Sequence, residues 1–205
     1  MIAIIDYEMG NIGSVYNMLK KIGVKSLITK DRKVIEEAEK IIIPGVGSFD
    51  SGIQQLEKLD LVSIIKHKVL NDKTPILGIC LGAQLMLESS EEGVEKGLGI
   101  ILGNVKRFNF SPLDSNLSIP SMGWNQVIIN KKSNLANDLP FEPRYYFVHS
   151  YHFNLTEKQD TLMTSTYGYE FESAFEKGNI AGVQFHPEKS HKFGMKLLSN
   201  FSNSF

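Results

Sequence analysis

Short apolar runs alternate with stretches of helical period through the first half of the chain, and the rhythm changes near Leu98. "IAIID" reads as a strand, after which Val15, Met18, Leu19 and Ile22 recur at helical spacing until Gly23 stops the pattern. "KSLI" is a second strand, a short helix is expected over Val34 to Ala38, and "KIIIPG" is a third strand. Ile53, Leu56, Leu61, Ile64, Ile65 and Val69 mark one or two helices before the apolar run "PILGIC". Strands separated by helices in this order predict a parallel sheet covered by helices, with chemistry at the carboxyl ends of its strands. "PGVG" and the cysteine of "GIC" both fall at such ends.

After Leu98 the strand candidates are "NVKRF", "WNQVIIN", "RYYFV", "TLMTSTY" and "FESAFE", closely spaced and joined by turns, which favours antiparallel pairing. "IAGVQF" reads as a further buried strand, and a last helix is expected from about Phe193 to Phe201. The expected class is therefore α/β: a flavodoxin-like three-layer sandwich with a mostly parallel central sheet and an added antiparallel portion. No repeat, low-complexity tract or linker divides the chain, so residues 1–205 are expected to form one domain.

Composition narrows the function. With 42% hydrophobic residues in 205, the chain has enough apolar material for a sizeable core. The net charge is only -1, and Lys and Arg are scattered rather than clustered, which gives no footprint for nucleic acid or a membrane surface. Small molecules or proteins are the expected partners. A single cysteine can close no internal disulfide and build no Cys-rich metal site, so neither a metal nor a cofactor is expected. "MIAIID" is too short for a signal peptide, and no apolar run approaches roughly 20 residues, so a cytoplasmic location is expected. The sequon-like "NLS" at Asn116 and "NLT" at Asn154 are then chance matches.

The one thiol lies in "GICLGAQLM", Gly78 to Met86, where an apolar run gives way to a helix-like stretch. Gly78 and Gly82 around Cys80 give the G-x-nucleophile-x-G form of an elbow, in which a sharp strand-to-helix turn lifts the side chain clear. A helix N-terminus would favour the thiolate there. Two readings of Cys80 stand: an activated nucleophile, or a small buried hydrophobe. A thiolate doing acyl chemistry needs a proton shuttle and an orienting partner for it, and "QFHPE" offers His186 and Glu188 across the rigid Pro187. Taken singly, His186 reads more often as a structural histidine and Glu188 as a solvated carboxylate; should His186 not be the base, His149 and His152 are the next candidates.

"GICLGAQLM" together with "GVQFHPEKS" resembles the class I, or triad, glutamine amidotransferases, whose Cys-His-Glu triad hydrolyses the side-chain amide of glutamine. The loop "IIIPGVGSFDSG" is similar to one branch, the glutaminase subunits of imidazole glycerol phosphate synthase. "DYEMGNIGSV", "SMGWN" and "YYFVHSYH" agree with that branch, and the likeness runs nearly from end to end. It implies that Cys80 attacks the carboxamide, His186 protonates the leaving ammonia and Glu188 orients His186. It further implies an oxyanion hole from Leu81 with Val46 and Gly47, and substrate contacts from Gln84, Ser150 and Tyr151. In this branch the oxyanion strand is thought to rest turned away until a partner engages.

The implied partner is a (β/α)8 cyclase barrel that forms a heterodimer with this chain, receives the ammonia and makes imidazole glycerol phosphate and AICAR in histidine biosynthesis. Trp124 resembles an aromatic gate and Lys189 an interface lysine, with Tyr146 and Asn11 on the same surface. Three positions depart from the usual pattern: Glu8, where a small residue is common; Ala83, often Met; and Ser121, often His. They lie near substrate and partner surfaces and leave a second acceptor open, a surface-sugar amidotransferase that converts acetamido to amidino groups. A cysteine-peptidase-like relative and an inactive binding module are the alternatives of another class, and "HPE" with "PGVG" argues against both.

Overall fold

Alternate residues of the central strands feed two separate apolar clusters, and that division builds the layers. In β3 (Lys40–Gly45), Ile41 and Ile43 join Ile35 of α2 (Arg32–Glu36), Phe49, Ile53 and Leu56 of α3 (Phe49–Lys58), and Ile65 and Val69 of α4 (Val62–Leu70). Ile42 points the other way, to Val15 and Leu19 of α1 (Ile12–Lys21) and Leu197, Leu198 and Phe201 of α6 (His191–Asn203). A strand covered on both faces must be apolar at every position, which is why "KIIIPG" runs continuously rather than alternating.

The structure, a computed structural model, describes residues 1–110 and 117–205; the Asn116 sequon lies outside the described residues. The parallel core follows the order β2 (Ser26–Thr29), β1 (Ile2–Ile5), β3, β4 (Ile76–Cys80), β13 (Ile180–Val183). Beyond β13 the sheet turns antiparallel through β12 (Tyr169–Lys177), β10 (Tyr151–Leu155) and β6 (Gly103–Arg107), and the short β5 (Ser89–Ser90) lies parallel to β6. β11 (Thr161–Tyr167) joins β12 to β8 (Ile128–Ile129). A separate two-stranded ribbon pairs β7 (Ser121–Gln126) with β9 (Arg144–His149).

Several boundaries differ from the periodicity for identifiable reasons. The second helix opens at Arg32 because Asp31 caps it, accepting the Lys33 N–H at 2.9 Å, whereas the apolar pattern begins only at Val34. The helix-like stretch after the thiol is a single turn, α5 (Leu81–Gln84). Past it the carbonyls of Leu85, Met86 and Leu87 accept from the 98–101 segment instead of continuing a helical ladder. "YYFVHSYH" reads as one aromatic strand but breaks at Ser150, placing β9 in the ribbon and β10 in the main sheet. "WNQVIIN" likewise splits into β7 and β8. The last helix extends two residues past each expected end.

Candidate active site

Cys80 ends β4 with φ 52° and ψ -113°, a strained positive-φ conformation that costs a non-glycine residue about 1–3 kcal/mol. The turn is possible because its neighbours lack side chains. A Cβ on Gly82 would sit 1.8 Å from the Ile43 carbonyl oxygen, and one on Gly78 2.5 Å from the Ala83 Cα. β4 and α5 thus lie directly on β3, with Gly45 in register with Cys80, so "PGVG" and the thiol share one edge. Behind them is the ring of Tyr7, whose hydroxyl lies where a Gly45 side chain would begin. Burial, and then the nearby Cys80, keep that phenol well above its usual range and therefore protonated.

The chain leaves β13 at Val183 and reaches His186 at the head of a 3-10 turn, Pro187–Lys189. The His186 N–H donates to the Tyr146 carbonyl at 2.9 Å, and the Ser190 hydroxyl donates to the His186 carbonyl at 2.6 Å. Pro187 holds Glu188 back against the ring, with Nδ1 2.7 Å from Oε1 and both side chains almost wholly buried. Among the described residues Nε2 has no partner at hydrogen-bonding geometry. Burial pulls the imidazole down, but Cys80 and Glu188 outweigh it and raise the ring to about 10. The site therefore favours an imidazolium beside the sulfur.

A cleft of about 260 Å³ opens over Cys80, and Val46, Gly47, Leu81, Gln84, Ser150 and Tyr151 all line it. Leu81 is the first residue of α5, so its N–H has no partner within the helix. Gln84 is turned inward: its Nε2 donates to the Tyr151 carbonyl at 3.2 Å and to Gln184 Oε1 at 3.0 Å. Three further polar side chains belong to the site, and of them the sequence offered only His149, as a fallback base. Glu92 lines the cleft and accepts the Phe49 N–H on Oε2 at 2.8 Å. His149 also lines it, its Nδ1 2.7 Å from the Tyr151 carbonyl, and burial holds it neutral at about 3 despite that bond. Gln184 is fully buried, its amide 3.6 Å from Cys80 Sγ. Of the other two, only Gln184, two residues before His186, carried a signal that could have found it.

Outside the cleft, Trp124 and Tyr146 face each other across the ribbon, and Lys189 Nζ stands 5.6 Å from the Tyr146 ring centroid. Trp124 is 48% exposed and stacks on His191 at 5.6 Å. Trp124, Tyr146 and Lys189 are thus brought together. Asn11 is exposed at the start of α1, the helix that packs on the Pro187–Lys189 turn. Glu8 has φ 65°, which explains why a small residue suits its position, and it pairs with Lys30 at 3.3 Å. Ala83 is buried under Gly78, and Ser121 pairs with His149 in the ribbon.

The family described as "Glutamine amidotransferase class-I" matches residues 3–204. Among curated relatives, "Imidazole glycerol phosphate synthase subunit HisH 2" of Methanococcus maripaludis is 55% identical over 98% of both chains. The protein of the same name from Pseudomonas aeruginosa is 45% identical, again over 98% of both, and the HisH subunit of Leptospira borgpetersenii 43% identical over 99% of this chain and 100% of its own. Of solved structures, "Crystal structure of glutamine amidotransferase" has a TM-score of 0.76 at 15% identity, and "Structure of PurLQS from Thermotoga maritima" 0.74 at 17%. Each covers 98% of this chain and 97% of the other. At such identities the likeness concerns the fold, and it is the three-layer α/β arrangement expected from the sequence.

Proposed function

Because this chain belongs to the class-I glutamine amidotransferases, we propose that it is the glutaminase subunit of an imidazole glycerol phosphate synthase, supplying ammonia for histidine biosynthesis. The observation that carries the chemistry is the placement of the one thiol. Cys80 sits at a strained, positive-φ strand end under a cleft, with the buried His186–Glu188 pair beside it.

In this reading the Cys80 thiolate adds to the side-chain carbonyl carbon of glutamine. The oxyanion is met by the Leu81 N–H and by an N–H of the Val46–Gly47 segment, each donor worth roughly 2.7–4 kcal/mol in the transition state. The imidazolium of His186 passes its proton to the departing nitrogen, releasing ammonia and leaving a γ-glutamyl thioester. Neutral His186 then takes a proton from water as it attacks the thioester, which expels the thiolate, frees glutamate with its carboxyl proton passing to solvent, and restores the thiolate–imidazolium pair. Glu188 holds the ring in orientation throughout. Glu92, an anion at the cleft wall, suits the α-ammonium of the substrate, and Gln84 and the Ser150–Tyr151 backbone suit its polar groups.

The ammonia acceptor is a (β/α)8 cyclase subunit seated over Trp124, Tyr146 and Lys189 as a cytoplasmic heterodimer. Among the described residues no helix is long and apolar enough to cross a membrane. The deciding experiment measures glutamate release by the chain alone, with the cyclase subunit, and with a sugar amidotransferase assembly. Activation by the cyclase is the expected result; activation by the sugar assembly alone would overturn the pathway and keep the chemistry.

A further inference from the structure

We infer that Gln184 is a positioning residue for the nucleophile: its side-chain amide presents N–H to the Cys80 sulfur and is locked in that direction by a chain of buried hydrogen bonds. An amide has the same shape either way round, so its direction must be read from partners with only one role. The Tyr151 carbonyl can only accept. It takes Gln84 Nε2 at 3.2 Å, which fixes the NH2 end of Gln84. The same NH2 donates to Gln184 Oε1 at 3.0 Å, so the remaining end of Gln184, 3.6 Å from Cys80 Sγ, is its NH2. Reversing Gln184 would set its own NH2 against that of Gln84.

The lock is closed at its far end. His149 Nδ1 lies 2.7 Å from the same Tyr151 carbonyl and supplies its second donor. Gln184 is wholly buried and Gln84 nearly so, leaving no bulk water to compete for these bonds. A donor aimed at sulfur favours the thiolate over the thiol, because the anion is the better acceptor. It also acts from outside the His186–Glu188 pair, so the sulfur is held between an amide and an imidazole. This division of labour rests on the glutaminase reading only for what Cys80 attacks.

The test uses the intact chain, whose one thiol makes alkylation by iodoacetamide report on Cys80 alone. Gln184→Met keeps length and volume and removes the donor; Gln184→Glu keeps the shape and offers only acceptors. Alkylation at neutral pH is expected to slow about tenfold in Gln184→Met and further in Gln184→Glu, with the pH dependence of the rate moved upward in both. In the complex, kcat for glutamine should fall by a similar factor while KM changes far less. Melting curves separate this from a folding defect. Should Gln184→Met fail to fold, Gln84→Met releases the lock and should slow alkylation several-fold. Parent-like alkylation in every folded variant would overturn the inference. Turnover does not enter the alkylation measurement, so a parent complex without glutaminase activity would sink the proposed function and leave this inference to its own result.

Discussion

His186 Nδ1 and Glu188 Oε1 lie 2.7 Å apart on either side of a single proline, both side chains withdrawn from solvent. The pair is set by three consecutive residues, so its geometry survives whatever the substrate does. It separates two roles that substitution should resolve. His186→Asn removes the proton carrier and should abolish turnover, whereas Glu188→Gln keeps the ring and weakens its orientation, costing roughly 10²- to 10⁴-fold in kcat. Steady-state glutamate release decides it. Parent activity in His186→Asn would move the base elsewhere, and His149 is a poor substitute because burial lowers its imidazole to about 3 and so makes it a weak proton acceptor.

The same pair gives stability a pH dependence of defined sign. The folded state holds the His186 ring at about 10, above its ordinary 6.5. That stabilisation is complete below the ordinary value and is lost as the pH rises through the folded one. The melting temperature of the parent should therefore drop between neutral pH and about pH 10 more steeply than that of His186→Asn. Parallel curves for the two proteins would show that the ring is not held as its cation.

Cys80→Ala removes the chain's one thiol and leaves the elbow backbone in place. Glutamine-dependent product should vanish, while ammonium salts still feed the synthase and partner binding is retained. Gly82→Ala makes the opposite kind of change, since its methyl would meet the Ile43 carbonyl. It should cost about 1–3 kcal/mol or more of stability and misplace the thiol, read by chemical denaturation and by Cys80 alkylation.

Glu92→Gln should raise KM for glutamine by about 10- to 100-fold with a smaller change in kcat, since a charge-assisted hydrogen bond of about 1.5–3 kcal/mol is lost. An unchanged KM would assign Glu92 to holding the start of α3 through Phe49 alone.

If one oxyanion donor waits for the partner, the isolated chain should hydrolyse glutamine about 10²- to 10³-fold more slowly than the complex. Lys189→Ala or Trp124→Ala should then reduce the gain on complex formation, or release ammonia to solvent, with the triad untouched. Full activity of the isolated chain would end the idea of gating.

The parts of this site that were legible in the sequence are those written locally. Cys80 between its glycines, and His186 with Glu188 across Pro187, are each fixed by a handful of adjacent residues whose backbone preferences point one way. Glu92 gave no such signal, because it reaches the cleft only through tertiary packing, and His149 was visible only as a fallback base inside "YYFVHSYH". The parallel half of the sheet was visible because strands buried on both faces leave an unbroken apolar run, as in Ile41 to Ile43. The break at Ser150 was not, since aromatic residues fill both β9 and β10 and nothing in their spacing says that they serve different sheets.

The β7–β9 ribbon stands off the main sheet, and Tyr146 belongs to two worlds at once. Its ring lies outside under Lys189, and its carbonyl takes the backbone N–H of His186. Three residues further on, the same strand delivers His149 to the cleft. The outer ribbon is therefore one hydrogen bond from the backbone of His186, and any rigid body docked there becomes part of the frame in which the proton moves.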